Sequence, residues 1–259
     1  MIRAAFFDVD GTLFSHRIHR VPDSAMRALR ELREKGVLLF VASGRSVAEV
    51  NRLLPPELLF DGYITLNGQY CCAKDGVFFD RPVSKEEISR MLEKVERDPF
   101  PLVFVENGRI YINYINPHVE KVEAYISTPL PEVRDLREGL QHSVYQMIPF
   151  VLRDREEEIM ACLPNCRKSR WHEGAFDIMD KDGGKGNGIR RVLERYGISK
   201  DEAMAFGDGE NDLDMFPCVG ISVAMGNASE QTKRQADYVT EDIDNDGILK
   251  ALQHFGVLE

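Results

Sequence analysis

Five short apolar runs recur along the chain, and each is shorter than an ordinary helix. A continuous apolar run of this length is typical of a strand that is buried on both faces of a parallel sheet. Glycine or polar residues follow the runs, as expected where strands end. We therefore predict core strands over residues 2–7, 37–42, 62–66, 203–206 and 219–223.

Helical patterns separate most of these runs. The clearest begins at Pro22 and stops at Gly36, which is the usual order of helix start and stop signals. Its apolar face consists of Ala25, Met26, Leu29 and Leu32. A second pattern runs from about Lys185 to Gly197. Alternation of strand and helix predicts an α/β fold with a doubly wound parallel sheet and right-handed crossovers.

The pattern changes between about residues 81 and 181. Asn107-Gly108 lies between two strand-like runs, which is a strong hairpin signal. We predict helices over residues 84–97, 117–126 and 154–162, hairpin strands over 102–105 and 109–115, and strand-like stretches over 143–152 and 171–179. These elements predict a smaller α+β domain at residues 82–181, inserted into a core domain formed by residues 1–81 and 182–259.

Composition and charge narrow the classes of function. The 259 residues include 33 Lys and Arg against 43 Asp and Glu, a formal net charge of −10. This balance disfavours nucleic acid and anionic membranes as partners, so local positive charge has to hold any anionic substrate. The five cysteines lack paired metal-site spacing and predict reduced thiols. Because we find neither an export signal nor a long apolar run, we expect a cytoplasmic protein.

Two acidic clusters follow predicted strands. Asp8 and Asp10 come directly after the first run, and Asp208, Asn211 and Asp212 follow the run at 203–206. Open α/β sheets bind ligands at the carboxyl ends of their strands. Carboxylates held this close repel each other, and a hard divalent cation such as Mg²⁺ allows them to stay ionised. Taken alone, an Asp-x-Asp pair is more often a capped turn.

Two further clusters can bind an anion. Ser43-Gly44-Arg45 follows the run at 37–42, and its hydroxyl and the N–H groups that open a helix at residues 46–54 suit a phosphate. Lys185 lies between glycines at a helix start, where a cation is unfavourable unless an anion is near. Taken separately, a helix cap and a solvated lysine explain these residues as well.

With these residues together, the chain resembles the haloacid dehalogenase-like superfamily, and within it the Cof-like sugar-phosphatase group. The motifs that carry the resemblance are DVDGTL at residues 8–13, SGR at 43–45, LNG at 66–68, KG at 185–186, GDGEND at 207–212 and AMGNA at 224–228. The resemblance spans the whole chain and implies a Rossmann-like core with an inserted type-IIB α+β cap domain.

The resemblance also implies a role for each matching residue. Asp8 is the expected nucleophile, which forms an aspartyl-phosphate, and Asp10 the general acid and then base. The side chains of Asp8 and Asp208 and the backbone carbonyl of Asp10 are the expected ligands of Mg²⁺. Asp212 is expected to orient a metal-bound water or Lys185. The expected phosphate-binding residues are Ser43, Gly44, Arg45, Lys185 and Asn211.

The inserted domain is expected to act as a lid that selects the leaving group, with hinges at Arg81-Pro82 and residues 181–184. The resemblance places Asn67 at the edge of the core that faces the cap. Polar or aromatic groups near predicted strand ends are the candidate selecting residues: Asn113, Tyr114, Tyr145, Trp171 and His172. Ordinary packing within the cap explains each of these residues as well.

The sequence therefore predicts a Mg²⁺-dependent phosphatase that hydrolyses small phosphomonoesters, with sugar phosphates or related metabolites as substrates. A small phosphorylated metabolite is the expected partner, and neither nucleic acid nor a membrane is expected. The oligomeric state stays open, and a monomer is compatible with the sequence. Two alternatives remain: a phosphohexomutase with the same cap class, and a non-catalytic protein that binds a phosphorylated metabolite.

Overall fold

The structure is a computed structural model that describes residues 1–125 and 128–259. Its internal contacts divide the chain into two compact units. We call Met1–Asp80 with Gly184–Glu259 the core unit, and Arg81–Gly183 the inserted unit. Within the described ranges, no helix is both long and apolar enough to cross a bilayer.

The elements follow one another in chain order. The strands are β1 (Ala4–Phe7), β2 (Leu38–Ala42), β3 (Gly62–Thr65), β4 (Tyr70–Ala73), β5 (Gly76–Asp80), β6 (Leu102–Glu106), β7 (Arg109–Ile112), β8 (Glu132–Val133), β9 (Val144–Pro149), β10 (Cys166–His172), β11 (Ala175–Asp180), β12 (Ala203–Gly207), β13 (Ile221–Ala224) and β14 (Tyr238–Val239). The α-helices are α1 (Asp23–Glu34), α2 (Val47–Leu53), α3 (Lys85–Arg97), α4 (Pro117–Tyr125), α5 (Glu156–Met160), α6 (Lys185–Tyr196), α7 (Glu230–Gln235) and α8 (Gly247–His254).

The core unit is built on a mainly parallel sheet with the strand order β14-β13-β12-β1-β2-β3-β4-β5. The central strand β1 pairs in parallel with β12 on one side and β2 on the other. Strands β3, β4 and β5 form antiparallel pairs at one edge. The predicted doubly wound α/β sheet is confirmed, and its parallel strands end at one common edge.

Both faces of this sheet are covered by apolar side chains, which explains the unbroken apolar runs. Successive side chains point to opposite faces, so Phe6 stacks on Phe40 in one cluster while Phe7 stacks on Phe206 in the other. The ring centroids lie 5.1 Å and 4.9 Å apart, respectively. Burial of each such ring contributes about 1.5–3 kcal/mol to folding, so the sheet is a rigid support for the loops at its edge.

Local signals in the sequence set the ends of the helices that flank the sheet. Helix α1 follows Pro22 and buries Ala25, Leu29 and Leu32 of its predicted apolar face, with Met26 partly buried against the same cluster. Helix α6 ends at Gly197, whose left-handed backbone is one that glycine adopts without a steric penalty. Helix α2 starts after Ser46, which forms a reciprocal capping box with Glu49.

The inserted unit has its own sheet, with the order β10-β11-β9-β6-β7-β8. Its neighbouring strands are antiparallel except for the β7–β8 pair. Phe104 pairs with Met147 across this sheet, and both side chains join a buried cluster with residues of α3 and α5. The α+β character expected for this segment is confirmed.

Several predicted elements differ from the structure. The stretch predicted at 171–179 is two strands, β10 and β11, because the chain reverses at Glu173-Gly174. The hairpin β4–β5 was not predicted. The charged helix predicted at 154–162 is a 3₁₀ turn, Arg153–Arg155, followed by the short helix α5. The last residue of the helix predicted at 117–126, Ile126, lies outside the described residues.

Candidate active site

Two acidic side chains lie side by side at the carboxyl edge of the core sheet. Asp8 follows β1 and Asp208 follows β12, and these strands are parallel neighbours with Phe7 opposite Phe206. The Asp8 N–H donates a hydrogen bond to the Phe206 carbonyl at 3.0 Å. The parallel register therefore brings together two residues that are 200 positions apart in the sequence.

Asp212 joins these two carboxylates. Oxygen atoms of Asp8, Asp208 and Asp212 all lie within 4.8 Å of one another, a spacing that can hold a metal ion. Asp212 sits at the end of a 3₁₀ turn, Glu210–Asp212, where its Oδ2 accepts hydrogen bonds from the N–H groups of Asp208 and Gly209, each at 2.9 Å. The backbone of this turn thus fixes the position of the third carboxylate.

Lys185 bridges two of the three carboxylates. Its Nζ donates to Asp8 Oδ1 and to Asp212 Oδ1, each at 2.6 Å, and the lysine side chain is fully buried. Lys185 is the first residue of α6, after Gly184. The two carboxylates supply the anions that a cation at the start of a helix requires.

The electrostatics of the group reflect an excess of negative charge. Burial, followed by repulsion from Asp212, raises the pKa of Asp8 to about 7. Burial and repulsion from Asp8 likewise raise the pKa of Asp208 well above its ordinary value. Burial alone would lower the pKa of Lys185, but attraction to Asp212 and Asp8 outweighs burial, and the ammonium stays charged. Three carboxylates and one ammonium carry a formal charge of −2, which one divalent cation would balance.

The loop after β1 fits closely around Asp208. Gly11 has a φ of +78°, and an added Cβ would overlap Asp208 Oδ2. The Thr12 hydroxyl donates to Asp208 Oδ1 at 3.2 Å, and the Asn227 side-chain amide donates to the Gly11 carbonyl at 2.8 Å. Asn227 follows the end of β13. No role for Asn227 was predicted from the sequence, although the residue follows a strand end, as do the acidic residues that were predicted.

The loop Ser43-Gly44-Arg45 lies after β2, where we expected a phosphate cradle. The Ser43 hydroxyl oxygen accepts a hydrogen bond from the Arg45 N–H at 3.2 Å. Helix α2 begins only after Ser46, its N-cap residue. The Ser46 N–H donates to Glu49 Oε2 at 2.9 Å, within the capping box. The first turn of the helix is therefore already capped, and contacts to a phosphate have to come from the loop itself.

Asn67 and Gly68 lie beside this loop. The Asn67 N–H donates to the Ser43 carbonyl, and the Asn67 carbonyl accepts from Gly184 N–H at 2.6 Å. Asn67 is buried, and its side-chain oxygen would lie 3.2 Å from a Cβ added at Gly44. Asn67 therefore connects the loop after β2 to the start of α6, which carries Lys185.

Asp10 is held by two cationic or donor side chains. Arg45 grips it with a two-pronged contact, Nε to Oδ2 at 2.6 Å and Nη2 to Oδ1 at 2.9 Å. His16 Nε2 lies 2.9 Å from the same Oδ1. Burial acts to raise the pKa of Asp10, but hydrogen bonds from His16 and Arg45 and the Arg45 charge outweigh it and hold the pKa below its ordinary value. His16 was not predicted from the sequence, because no motif or spacing links it to Asp10.

The structure also places the remaining predicted residues. Asn211 lies in the 3₁₀ turn that ends at Asp212, with its Oδ1 against Gly209. In the inserted unit, the Asn113 side chain bonds backbone groups: its Oδ1 accepts from the N–H groups of Leu102 and Tyr114, and its Nδ2 donates to the Phe100 carbonyl. These bonds hold the ends of the β6–β7 hairpin together, a structural role that makes Asn113 the weakest of the selecting candidates.

The other selecting candidates lie apart within the inserted sheet. Trp171 Nε1 donates to Asp177 Oδ1 at 2.8 Å, and His172 Nδ1 accepts from Gly174 N–H at 3.0 Å. These are the last two residues of β10, whereas Tyr114 follows the end of β7, four positions away in the strand order. At about 4.8 Å per strand, that is roughly 19 Å. Tyr145 is buried near the start of β9, at the opposite end of the sheet.

Comparison with known families gives a match over residues 5–252, almost the whole chain, to haloacid dehalogenase-like hydrolases. The chain belongs to this family. The resemblance expected from the motifs is therefore confirmed. The family assignment includes both the acidic group of the core unit and the inserted unit.

Individual members of the haloacid dehalogenase-like family match over nearly the full length. The Bacillus subtilis protein "Putative phosphatase YkrA" is 36% identical over 98% of both chains. A solved structure of BT1666 from Bacteroides thetaiotaomicron, described among phosphatases of this superfamily, matches with a TM-score of 0.94 and 32% identity over 100% of this chain and 96% of that one. The subclass IIB sugar phosphatase BT4131 matches with a TM-score of 0.87 and 36% identity over 99% and 100%. The chain is a phosphoric monoester hydrolase of this family.

Proposed function

We propose that the protein is a Mg²⁺-dependent phosphatase that hydrolyses small phosphomonoesters, sugar phosphates above all, through an aspartyl-phosphate on Asp8. The observation that carries this proposal is the buried group in which the Lys185 ammonium binds both Asp8 and Asp212 beside Asp208. A carboxylate becomes a workable nucleophile toward a phosphate only where positive charge offsets repulsion by the phosphoryl oxygens.

The donor set fits Mg²⁺. Its hard oxygen atoms and excess charge of −2 suit a small divalent cation. We assign Asp8 and Asp208 as side-chain ligands, with the Asp10 backbone carbonyl as a third. Asp212 already uses Oδ1 for Lys185 and Oδ2 for two backbone N–H groups, so we assign it to hold Lys185 rather than to bind the ion directly. When bound, Mg²⁺ neutralises charge on the transferring phosphoryl group.

The residues of the chain then carry two chemical steps. An Asp8 carboxylate oxygen attacks phosphorus, the bond from phosphorus to the ester oxygen breaks, and Asp10 gives its proton to the departing alkoxide. In the second step Asp10 takes a proton from water, the water oxygen attacks phosphorus, and the bond from Asp8 to phosphorus breaks. Inorganic phosphate and the two starting side chains are the products.

The phosphoryl group is bound by donors from three loops. Lys185 supplies a buried charge, and Ser43 and Gly44 supply a hydroxyl and a backbone N–H. Arg45 offers a planar fork that matches two phosphoryl oxygens. Asn211 adds an amide from the turn after β12. Positive charge is thus concentrated locally on a chain whose overall charge is −10.

We assign the inserted unit, residues 82–181 in the predicted domain division, as the lid that excludes water and selects the leaving group. Its two chain ends are tied together, since Arg81 Nε lies 3.2 Å from Asp180 Oδ1 and Arg81 Nη2 lies 3.0 Å from Asp182 Oδ2. This pairing supports hinges at Arg81-Pro82 and at residues 181–184. The selecting residues remain proposals: Asn67 from the core, and Tyr114, Tyr145, Trp171, His172 and Asn113 from the insert.

Sugar phosphates are the substrate class that we favour. The BT4131 structure, a sugar phosphatase, is 36% identical to this chain over nearly its full length. Aromatic groups around the end of β10 can stack on the apolar face of a sugar ring. The His172 ring lies 5.0 Å from the ring of Tyr125, the last residue of α4, and 6.0 Å from the ring of Trp171, between centroids.

A panel of phosphorylated metabolites tests the proposal. We expect the purified protein to release inorganic phosphate from hexose and pentose phosphates in the presence of Mg²⁺, and EDTA to abolish the release. The Asp8→Asn variant should stay folded by circular dichroism and lose turnover. Phosphate release that survives EDTA or Asp8→Asn would overturn the mechanism. Isomerisation of a hexose 1-phosphate without release of phosphate would identify the protein as a mutase.

A further inference from the structure

We propose that His16 is a positioning residue for Asp10, which keeps the carboxyl group of the acid in place while Arg45 moves from Asp10 to the substrate phosphate. This inference rests on the proposed function, in which Asp10 is the general acid and base. It adds a residue that neither the motifs nor the family resemblance identifies.

The contacts around Asp10 divide into two kinds. Arg45 occupies both carboxylate oxygens, with N–O distances of 2.6 Å and 2.9 Å. His16 contacts only Oδ1, at 2.9 Å. Because an ionised carboxylate only accepts hydrogen bonds, His16 Nε2 is the donor in this contact. The Asp10 side chain is thus bound by two independent groups, and either can leave without releasing it.

The turn that carries His16 is fixed at both ends. Phe14 is buried, its N–H donates to the Val9 carbonyl at 2.7 Å, and its carbonyl accepts from Gly11 N–H at 3.0 Å. The His16 ring packs edge-on against the Phe14 ring, with centroids 5.5 Å apart at 77°. Packing against a buried aromatic ring limits the orientations of the imidazole, although His16 is itself partly exposed.

The far side of the same turn has two further attachments. Ser15 N–H donates to the Arg20 carbonyl at 3.1 Å, which closes the turn. Arg17 Nε lies 2.6 Å from Asp244 Oδ2 and ties the turn to another part of the core unit. The histidine therefore extends from an anchored support rather than from a free loop.

The chemistry of a general acid explains why two contacts are needed. A guanidinium that donates to both oxygens favours the ionised carboxylate, so Arg45 has to release Asp10 before Asp10 is well placed to carry a proton to the leaving group. A bound phosphate offers Arg45 two other oxygens of the same geometry. A single N–H donor such as His16 is compatible with both forms of Asp10, because the carbonyl oxygen of a protonated carboxyl group still accepts a hydrogen bond.

A comparison of substrates with different leaving groups distinguishes a role of His16 in positioning Asp10 from a general loss of active-site structure. A sugar alkoxide departs only with a proton from Asp10, whereas p-nitrophenolate departs without one. We expect His16→Leu to lower kcat/KM for the preferred sugar phosphate by about 10- to 100-fold, a part of the usual contribution of a general acid. The same variant should lower kcat/KM for p-nitrophenyl phosphate by less than about threefold, because that ester bypasses the acid.

A conservative variant and a neighbouring control complete the design. In His16→Gln the side-chain amide reaches about as far as Nε2 and keeps a donor, so it should restore most of the sugar-phosphate activity. His19 is exposed on the same turn, and His19→Asn should leave kcat/KM for both substrates unchanged. Asn suits the left-handed backbone at this position, where φ is 52°.

The outcomes separate this inference from the function on which it rests. Equal losses on both substrates, no loss in His16→Leu, or no recovery in His16→Gln would overturn the role of His16 while wild-type turnover remains dependent on Asp8. Wild-type turnover that does not depend on Asp8 would instead overturn the proposed function, and the role of His16 with it.

Discussion

Lys185 Nζ lies 2.6 Å from Asp212 Oδ1, and neither side chain is exposed to solvent. A buried ion pair of this kind is costly to break, because the partner left behind is an uncompensated charge in a medium of low polarity. Asp212 is in turn fixed by two backbone N–H groups. The pair therefore links the start of α6 to the turn after β12 and holds the cation against Asp8.

Replacement of Lys185 by Met tests this pair, since Met fills a similar volume without the charge. Loss of the cation leaves the buried carboxylates of Asp8 and Asp212, beside half-buried Asp208, without an offsetting charge, so we expect the free energy of unfolding to fall by about 3–5 kcal/mol. Turnover should fall at least about 10²–10³-fold, as when a preorganised donor to a charged transition state is removed. Urea unfolding and phosphate release measure the two effects. Lys35→Met is the matched control, because Lys35 is exposed and bonds the Val257 carbonyl; it should change the free energy of unfolding and the turnover little. Normal turnover in Lys185→Met would contradict the role assigned to Lys185.

Addition of Mg²⁺ should stabilise the protein, because a ligand that binds only the folded state shifts the unfolding equilibrium. At about 100 times its dissociation constant, the ion adds about 2.7 kcal/mol. Thermal unfolding with and without EDTA measures the shift. The Asp208→Asn variant loses one of the repelling carboxylates, so it should be at least as stable as wild type in EDTA yet gain much less from Mg²⁺. Equal gains in the two proteins would exclude Asp208 as a ligand.

Alanine substitutions at Gly11 and Gly36, compared with each other, distinguish the cost of a strained backbone from the effect of displacing the Asp208 carboxylate. Gly11 and Gly36 have nearly the same φ, +78° and +79°, but an added Cβ meets Asp208 only at Gly11. Gly36→Ala should therefore cost about 1–2 kcal/mol of stability, the usual cost of a left-handed alanine, with normal turnover. Gly11→Ala should cost more and also raise the Mg²⁺ concentration needed for half-maximal activity. Normal Mg²⁺ dependence in Gly11→Ala would show that the close fit around Asp208 is not needed.

Replacement of Arg45 by Lys keeps the charge but removes the fork. A lysine cannot donate to both oxygens of Asp10 or of a phosphate in one plane, so we expect kcat/KM to fall about tenfold or more. Steady-state kinetics on the best substrate measure this loss. Arg20 makes a comparable two-pronged contact with exposed Asp23, and Arg20→Lys should change kcat/KM little. Full activity in Arg45→Lys would mean that charge alone suffices at this position.

The sequence was sufficient to predict the core sheet because its strands are buried on both faces and are continuously apolar. It was insufficient for β10, whose charged residues gave no periodic signal. Arg170 and Lys168 on that strand each lie 2.6 Å from oxygens of Glu156 at the start of α5, and these partners are known only once the chain is folded. The hairpin β4–β5 did carry a signal, Asp75-Gly76, with Gly76 at a φ of +119°.

The acidic residues and Lys185 could be predicted because each follows a strand or starts a helix, so that one rule about sheet edges placed them together. The rule did not extend to His16. It comes within reach of Asp10 because the chain turns back between Val9 and Phe14, where Phe14 N–H bonds the Val9 carbonyl and Gly11 N–H bonds the Phe14 carbonyl. No apolar period reveals this turn. The selecting candidates in the insert were chosen by the same rule, and the structure distributes them over both ends of the inserted sheet.

The contact between Asn67 and Gly184 fixes the position of the residue that precedes Lys185. Gly184 N–H donates to the Asn67 carbonyl at 2.6 Å, and Gly68 has no room for a side chain against the Gly184 carbonyl. Contacts within the core unit thus hold Gly184, the residue before Lys185, independently of the segment between Asp80 and Gly184. A change in the length or sequence of that intervening segment would therefore leave the position of the lysine unchanged.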